Sequence, residues 1–308
     1  MGLVKNIEFR VVKSIFYILS RFNILLKSCF INVKKNPILI LTKPHTIYVA
    51  KMLEEGLKAR NINVQVEVDQ KRKVFSNSYY IVICPQVFKY LPPKHRLISF
   101  QLEQRVSEWF DEEYLNILNN SLFVWDYSLS NKKFLEEKNL SPEIYHIPLS
   151  INSNYYSEPM LKEIDILFYG NPNSERRIFL LNEAKKYFNV EVVSNLYGKE
   201  MLNKIKKARI VLNLHYYENA LLETTRIYEC LSLGAHVVSE SSDDINEYPE
   251  LVESTQISFF EVGNSKEMIN LLKNKLEAGI ISVDSQLTLK SKNRMSSALG
   301  VAVSKLYN

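Results

Sequence analysis

Glu223, Arg226 and Glu229 recur at intervals of three residues. On a helix that interval lines them along one face. A carboxylate there can accept hydrogen bonds from two neighbouring hydroxyls, such as those of a ribose. A guanidinium there can hold a diphosphate. Just before this run, the apolar stretch Ile210–Leu214 carries Asn213 and ends beside His215, so a buried strand would deliver both polar side chains to its C-terminal end. Just after it, Gly234 reads as the residue that ends the helix. The following strand, His236–Ser239, delivers Ser239 beside Glu240. The competing explanation is an exposed helix face stitched by Glu–Arg pairs, each worth only tenths of a kcal/mol.

A second constellation is Tyr169-Gly170-Asn171-Pro172-Asn173-Ser174-Glu175-Arg176-Arg177. It reads as strand, turn and helix start, with Ser174 as N-cap. Unpaired N–H groups at a helix start favour an anion such as phosphate. Gly170 would let a ligand approach the backbone, and Arg176 and Arg177 add charge. Asn171 and Asn173 lie in the same turn. An ordinary connection with solvated arginines would use the same residues.

The first half offers less. His45, in Pro44-His45-Thr46, follows a strand and precedes a helix. Glu103 follows the short strand Leu97–Phe100. Either has the chemistry of a general base that takes a proton from an attacking hydroxyl; a helix-capping histidine and a surface glutamate are the alternatives.

The elements that must position these residues alternate strand and helix. Strand readings fall at Pro37–Thr42, Ile62–Val68, Tyr79–Cys84, Leu97–Phe100, Ser121–Trp125 and Ile144–Pro148, then at Ile164–Tyr169, Val190–Val193, Ile210–Leu214, His236–Ser239 and Ile257–Phe260. Helices are expected at Thr46–Arg60, Arg105–Leu118, Ser130–Lys138, Ser174–Phe188, Lys199–Lys207, Leu222–Leu233, Asn264–Glu277 and Ser285–Leu306. Repeated strand–helix units imply parallel sheets covered on both faces. A length of 308 residues suits two such domains. The fold class expected is therefore α/β, with two Rossmann-like doubly wound domains facing a central cleft. Their boundary falls in the polar stretch Ser150–Met160. Residues 1–150 would form the first domain, 151–285 the second, and 286–308 a C-terminal helix placed to pack back on the first.

Composition excludes several classes. There is no G-x-G-x-x-G among eight glycines, no P-loop, and no H-x-x-x-H, C-x-x-C or D-x-D. A dinucleotide-dependent oxidoreductase and a protein-built zinc site therefore lack support. Cys29, Cys84 and Cys230 are far apart and read as small buried hydrophobes. The net charge of +5 is concentrated at residues 1–35, where Lys5, Arg10, Lys13, Arg21, Lys27, Lys34 and Lys35 face one acid, Glu8. Apolar positions there keep helical spacing, but charges interrupt every run too early for a secretory signal or a membrane span. A basic amphipathic helix lying in a membrane interface is the reading for residues 1–30, with packing on the protein itself as the alternative.

Arg226-x-x-Glu229-x-x-x-x-Gly234 followed by an apolar strand resembles the donor-site signature of GT-B glycosyltransferases of the glycosyl transferases group 1 type. Val211-Leu212-Asn213-Leu214-His215 and Gly170-Asn171…Arg176-Arg177 resemble further landmarks of that family. The resemblance covers about residues 160–280 and over residues 1–150 rests on architecture. It implies that the second domain holds a nucleotide-sugar donor, with Glu229 on the ribose, Arg226 on the phosphates or sugar, and Gly170 lining the nucleotide pocket. Many retaining members carry two glutamates eight positions apart. Here the earlier position is Leu221, with Glu218 and Glu223 off register.

The resulting expectation is an enzyme that moves a sugar from a UDP- or GDP-type donor to a hydroxyl of a cell-surface glycan or lipid-linked precursor. It would need neither metal nor nucleic acid, and would work in the cytoplasm or on the cytoplasmic face of the membrane. A fold-retaining but inactive membrane scaffold and a sugar-nucleotide epimerase are the competing expectations.

Overall fold

A computed structural model of the chain describes residues 36–155, 160–279 and 284–306. The basic segment expected over residues 1–30, Cys29 and residues 156–159 of the boundary stretch lie outside the described residues.

The first half runs β1 (Ile38–Thr42), α1 (Ile47–Lys58), β2 (Val64–Val68), β3 (Tyr80–Ile83), β4 (Leu97–Gln101), α2 (Glu112–Asn119), β5 (Phe123–Asp126), α3 (Leu129–Glu137) and β6 (Glu143–His146). The second runs β7 (Ile164–Tyr169), α4 (Glu175–Lys185), β8 (Val190–Val193), α5 (Gly198–Lys207), β9 (Ala208–Asn213), α6 (Thr224–Ser232), β10 (His236–Glu240), α7 (Pro249–Val252), β11 (Ile257–Phe260), α8 (Ser265–Ala278) and α9 (Ser285–Ser304).

The strands form two parallel sheets, in the orders β2-β1-β3-β4-β5-β6 and β11-β10-β9-β7-β8. β1, β3 and β4 are buried at every position, because both faces of such a sheet are covered. The chain reverses its direction of sheet growth between β1 and β3 in the first sheet and between β7 and β9 in the second. Open parallel sheets hold ligands beyond the C-terminal strand ends at such reversals. His45 follows β1 and Gly170 follows β7, so the fold carries both residues to those points.

One expectation changes. The helix expected from Arg105 begins at Glu112, because the preceding residues are tied elsewhere. Residues 104–110 form turns, with Ser107 N donating to Gln104 O and Phe110 N to Ser107 O. The Asp111 carboxylate then accepts from Tyr114 N at 2.8 Å and caps the helix. The β2–β3 and β3–β4 connections, for which no helix is expected, contain no α-helix. Phe75, Phe88 and Leu91 fasten these connections directly over Leu39, Leu41, Tyr80, Val82 and Leu97.

The halves are joined by packing and by polar contacts. Tyr48 on α1 donates to the Ser150 carbonyl at 2.6 Å and lies 3.0 Å from Ser232 Oγ on α6. Ser232 Oγ accepts from Asn152 N at 2.9 Å. The C-terminal helix α9 lies against α1 of the first half. There Gly56 gives the room: a Cβ built on it would stand 2.9 Å from Leu299 Cδ2 and from Met295 Cε.

Candidate active site

A cavity of about 490 Å³ lies between the C-terminal strand ends of the two sheets. The first half lines it with His45, Glu103, Gln104 and Trp109, among others. The second lines it with Tyr169, Gly170, Asn171, Glu223, Arg226 and Glu229, among others.

Its second-half wall is built around Arg226. Burial works against that guanidinium's charge, but Glu223, then Tyr169, raise its pKa. It forms an ion pair with Glu223, donates to Asn213 Oδ1 at 2.8 Å, and lies 5.1 Å from the Tyr169 ring centroid. Glu223 is shared with Arg177, whose Nη2 stands 3.2 Å from its other oxygen. Burial alone would raise the Glu223 pKa; Arg226 and Arg177 override it and hold the carboxyl below the usual range. Gly170 has φ +126°, and a Cβ there would stand 3.0 Å from Arg226 Nη2. Only glycine lets the backbone pass so close.

Glu229, one turn further along α6, accepts from the Tyr169 hydroxyl at 3.2 Å. Burial pushes its pKa up to about 7, against the opposing pull of Tyr169 and Arg226. Thr224 and Thr225, in the first turn of α6, also line the cavity. The N–H groups of a helix's first turn lack partners within the helix and carry partial positive charge. One wall thus combines a helix start, a guanidinium and a poised carboxylate.

The facing wall holds two proton acceptors. Glu103 Oε1 accepts from Gln86 Nε2 at 2.9 Å, and Oε2 from Ser107 Oγ at 3.2 Å. Burial raises its pKa despite these hydrogen bonds. His45 stands at the solvent-accessible lip, edge-on to Tyr197 of the second half at 6.2 Å between centroids. Enclosure by the cleft walls, then Lys43, lower its pKa, so the ring is neutral near pH 7.

The structure thus brings His45, Glu103, Gly170, Asn171, Glu223, Arg226 and Glu229 to one cavity. The remaining sequence candidates do not line it, and each has protein partners. Arg176 makes two hydrogen bonds to the fully buried Glu240 carboxylate, at 2.8 and 2.7 Å, and a third to the His215 carbonyl. Arg177 donates to the Leu214 and Asn171 carbonyls and lies over the rings of Phe168 and Tyr216. His215 Nε2 bonds the Ser241 carbonyl at 2.9 Å. Asn213 donates to Ser239 Oγ at 2.9 Å while it accepts from Arg226, and Asn173 N caps its own turn on Asn171 Oδ1. Arg176 and Arg177, read in the sequence as charge for a ligand, here brace the loops that shape the wall.

Sequence reasoning missed Gln104, Trp109 and Tyr197. Gln104 had no local signal, because its partner is remote in the chain. Tyr197-Gly198 could have been found: Asn195 and Gly198 both adopt positive φ at the end of β8, the mark of a tight strand-to-helix turn.

The family described as glycosyl transferase-like matches residues 156–278. No curated protein matches the chain. Among solved structures, sucrose-phosphate synthase from Thermosynechococcus elongatus superposes with a TM-score of 0.51 at 12% identity, covering 88% of this chain and 98% of that one. Anabaena HepE in complex with UDP and glucose superposes with a TM-score of 0.50 at 11% identity, covering 88% and 99%. At such identities the likeness speaks for the fold. The family match falls within the second half, and the two facing parallel sheets share the GT-B fold of these solved structures.

Proposed function

We propose that the chain transfers a sugar from a nucleoside diphosphate sugar to a hydroxyl of a cell-surface glycan or of its lipid-linked precursor. The observation that carries this is the pairing, in one cavity, of an anion-binding wall with a proton-accepting wall. The anion-binding wall is Arg226 with the start of α6; the proton-accepting wall holds Glu103 and His45.

The wall residues suggest a division of labour. Ionised Glu229 accepts hydrogen bonds from the two ribose hydroxyls. The Thr225 N–H, in the first turn of α6, and the Arg226 guanidinium face the diphosphate, where negative charge grows as the sugar departs. Arg226 is already held by Glu223, Asn213 and Tyr169, so little reorganisation is needed when that charge forms. Glu103, its pKa raised by burial, takes the proton from the attacking hydroxyl. Base and leaving group then lie on opposite walls, which suits attack from the face opposite the leaving group and inversion at the sugar carbon.

Leu221 stands where many retaining relatives carry a glutamate, and its side chain is buried. That favours the inverting reading over a retaining one. HepE was solved with UDP-glucose, and a UDP- or GDP-type donor is the first to try here. The charge supplied by Arg226 and α6 is proposed to serve without a metal ion, in an enzyme working in the cytoplasm or on the cytoplasmic membrane face. Among the described residues no helix is long and apolar enough to cross a membrane.

A thermal-shift screen of nucleotide sugars, followed by a hydrolysis assay on each hit with and without chelator, tests the proposal. Stabilisation by a nucleotide sugar and slow release of its nucleotide in chelator are expected. Failure of every nucleotide sugar to stabilise the protein would overturn it.

A further inference from the structure

The two connections that replace helices over the first sheet carry an unbalanced surface. Residues 69–79 and 84–96 contain Lys71, Arg72, Lys73, Lys89, Lys94 and Arg96 against a single acid, Asp69. Asp69 is taken by Lys43 at 2.7 Å, Arg72 is held by Glu67, and Arg96 is buried. Lys71, Lys73 and Lys89 are exposed and form no ion pair among the described residues. Lys73 and Lys89 converge on one ring, with Nζ 5.8 and 5.7 Å from the Tyr90 centroid. Beside them Val74 is 81% exposed, and Tyr90 and Val87 are each 39% exposed.

Cations that flank solvent-exposed apolar side chains match a surface that is anionic outside and apolar just beneath. A soluble polyanion would reward the lysines but not Val74. An apolar protein partner would reward Val74 but not three unpaired ammonium groups. An interfacial position satisfies both, with lysine stems lying along the apolar layer and their heads at the phosphates. The patch also adjoins the cavity. Gln86, in the second of these connections, bonds Glu103, and Lys43, 5.0 Å above Phe88, precedes Pro44 and His45 on the cavity lip.

We propose that this surface rests on an anionic lipid bilayer. Lys71, Lys73 and Lys89 lie over the headgroups while Val74 and Tyr90 enter the interface, so the Glu103 side of the cavity opens towards the membrane. Nothing in this proposal depends on the donor reading, and its test uses no nucleotide.

The test is cosedimentation of the full chain with vesicles of phosphatidylcholine alone, or of phosphatidylcholine with about a third phosphatidylglycerol. Wild type is expected to bind only the anionic vesicles. Lys71→Gln, Lys73→Gln and Lys89→Gln together should lower partitioning about 100-fold, at roughly fivefold for each lysine near the surface. Lys185→Gln, Lys266→Gln and Lys273→Gln, exposed on the second half, should leave binding unchanged. Val74→Ser should weaken it severalfold. All of these residues are exposed, so an unchanged melting temperature checks the fold of each variant. Equal binding by wild type and the patch variant would overturn the proposal, as would absence of binding by wild type. Patch-dependent binding that Val74→Ser leaves untouched, and that inorganic polyphosphate reproduces in solution, would assign the lysines to a soluble polyanion and overturn it too.

Discussion

The side-chain amide of Gln104 reads the backbone of Leu221 from across the cleft. Its Oε1 accepts from Leu221 N at 3.0 Å, and its Nε2 donates to Leu221 O at 3.0 Å. One residue of the first half thus satisfies both backbone groups of one residue of the second, at the loop that leads into α6. The next residue is held as well, by Asp244 Oδ1 on Leu222 N at 2.9 Å. The start of α6 is therefore fixed from both halves.

Gln104→Ala removes this clasp. At about 1 kcal/mol for each net hydrogen bond, the closed arrangement should weaken by roughly 1–2 kcal/mol, or about tenfold in its ratio to open forms. Small-angle scattering should show a larger radius of gyration, and amides of residues 219–225 should exchange faster. Unchanged exchange in that segment would show that the loop holds itself.

Glu229 should make nucleotide binding pH-dependent. Its pKa of about 7 means that half of the empty protein carries a neutral carboxyl at that pH. Ribose hydroxyls need the ionised form as acceptor, so affinity for UDP or GDP should rise about fivefold from pH 6 to pH 7 and then level off. Stability runs the other way. A carboxyl whose pKa is raised by folding binds its proton more readily in the native state, so the empty protein loses stability as pH climbs from the ordinary glutamate range to about 7. Glu229→Gln should flatten both profiles, and Glu229→Ala should abolish nucleotide binding in calorimetry while leaving the fold intact.

Glu103→Gln should separate chemistry from binding. It preserves size and much of the hydrogen bonding to Gln86 and Ser107 but cannot take a proton. A fall in kcat of about 100-fold or more, with little change in donor KM, is expected of a general base. A kcat within twofold of wild type would remove Glu103 from the reaction and leave His45 as the remaining candidate.

Gly170→Ala should damage the site through Arg226. The φ of +126° is costly for alanine, and its Cβ would press on Nη2 at 3.0 Å. A stability loss of about 1–3 kcal/mol is expected, with weaker nucleotide binding because Arg226 must move. Denaturant titration and calorimetry on the same variant measure both.

Gly56→Val tests the joint far from the cavity. Its side chain would meet Leu299 and Met295 of α9. Overpacking of this kind costs about 1–3 kcal/mol. A variant as stable as wild type would mean that α9 can shift without cost.

The sequence by itself determined the strands, most of the helices and the outline of the second-half wall. Apolar runs bounded by turn residues, Ser174 as a cap and Gly234 at φ +73° all act through neighbours a few residues away, so local chemistry suffices to read them. For the same reason the spacing of Glu223, Arg226 and Glu229 placed all three on α6. The late start of α2 was hidden, because residues 104–110 close tight turns on one another while Leu221 and Asn131 hold Gln104 and Arg105 from outside the segment. Only the tertiary structure decided which charges face the cavity and which are spent inside the protein. Arg176 and Arg226 are both arginines near strand ends. One is bound to Glu240 on β10, while the other reaches the cavity because glycine at position 170 leaves it room. The facing wall was decided in the same way. Glu103 and Gln104 take their roles from Gln86, Ser107 and Leu221, and no period in the chain records which side chains the packing will bring within hydrogen-bond distance.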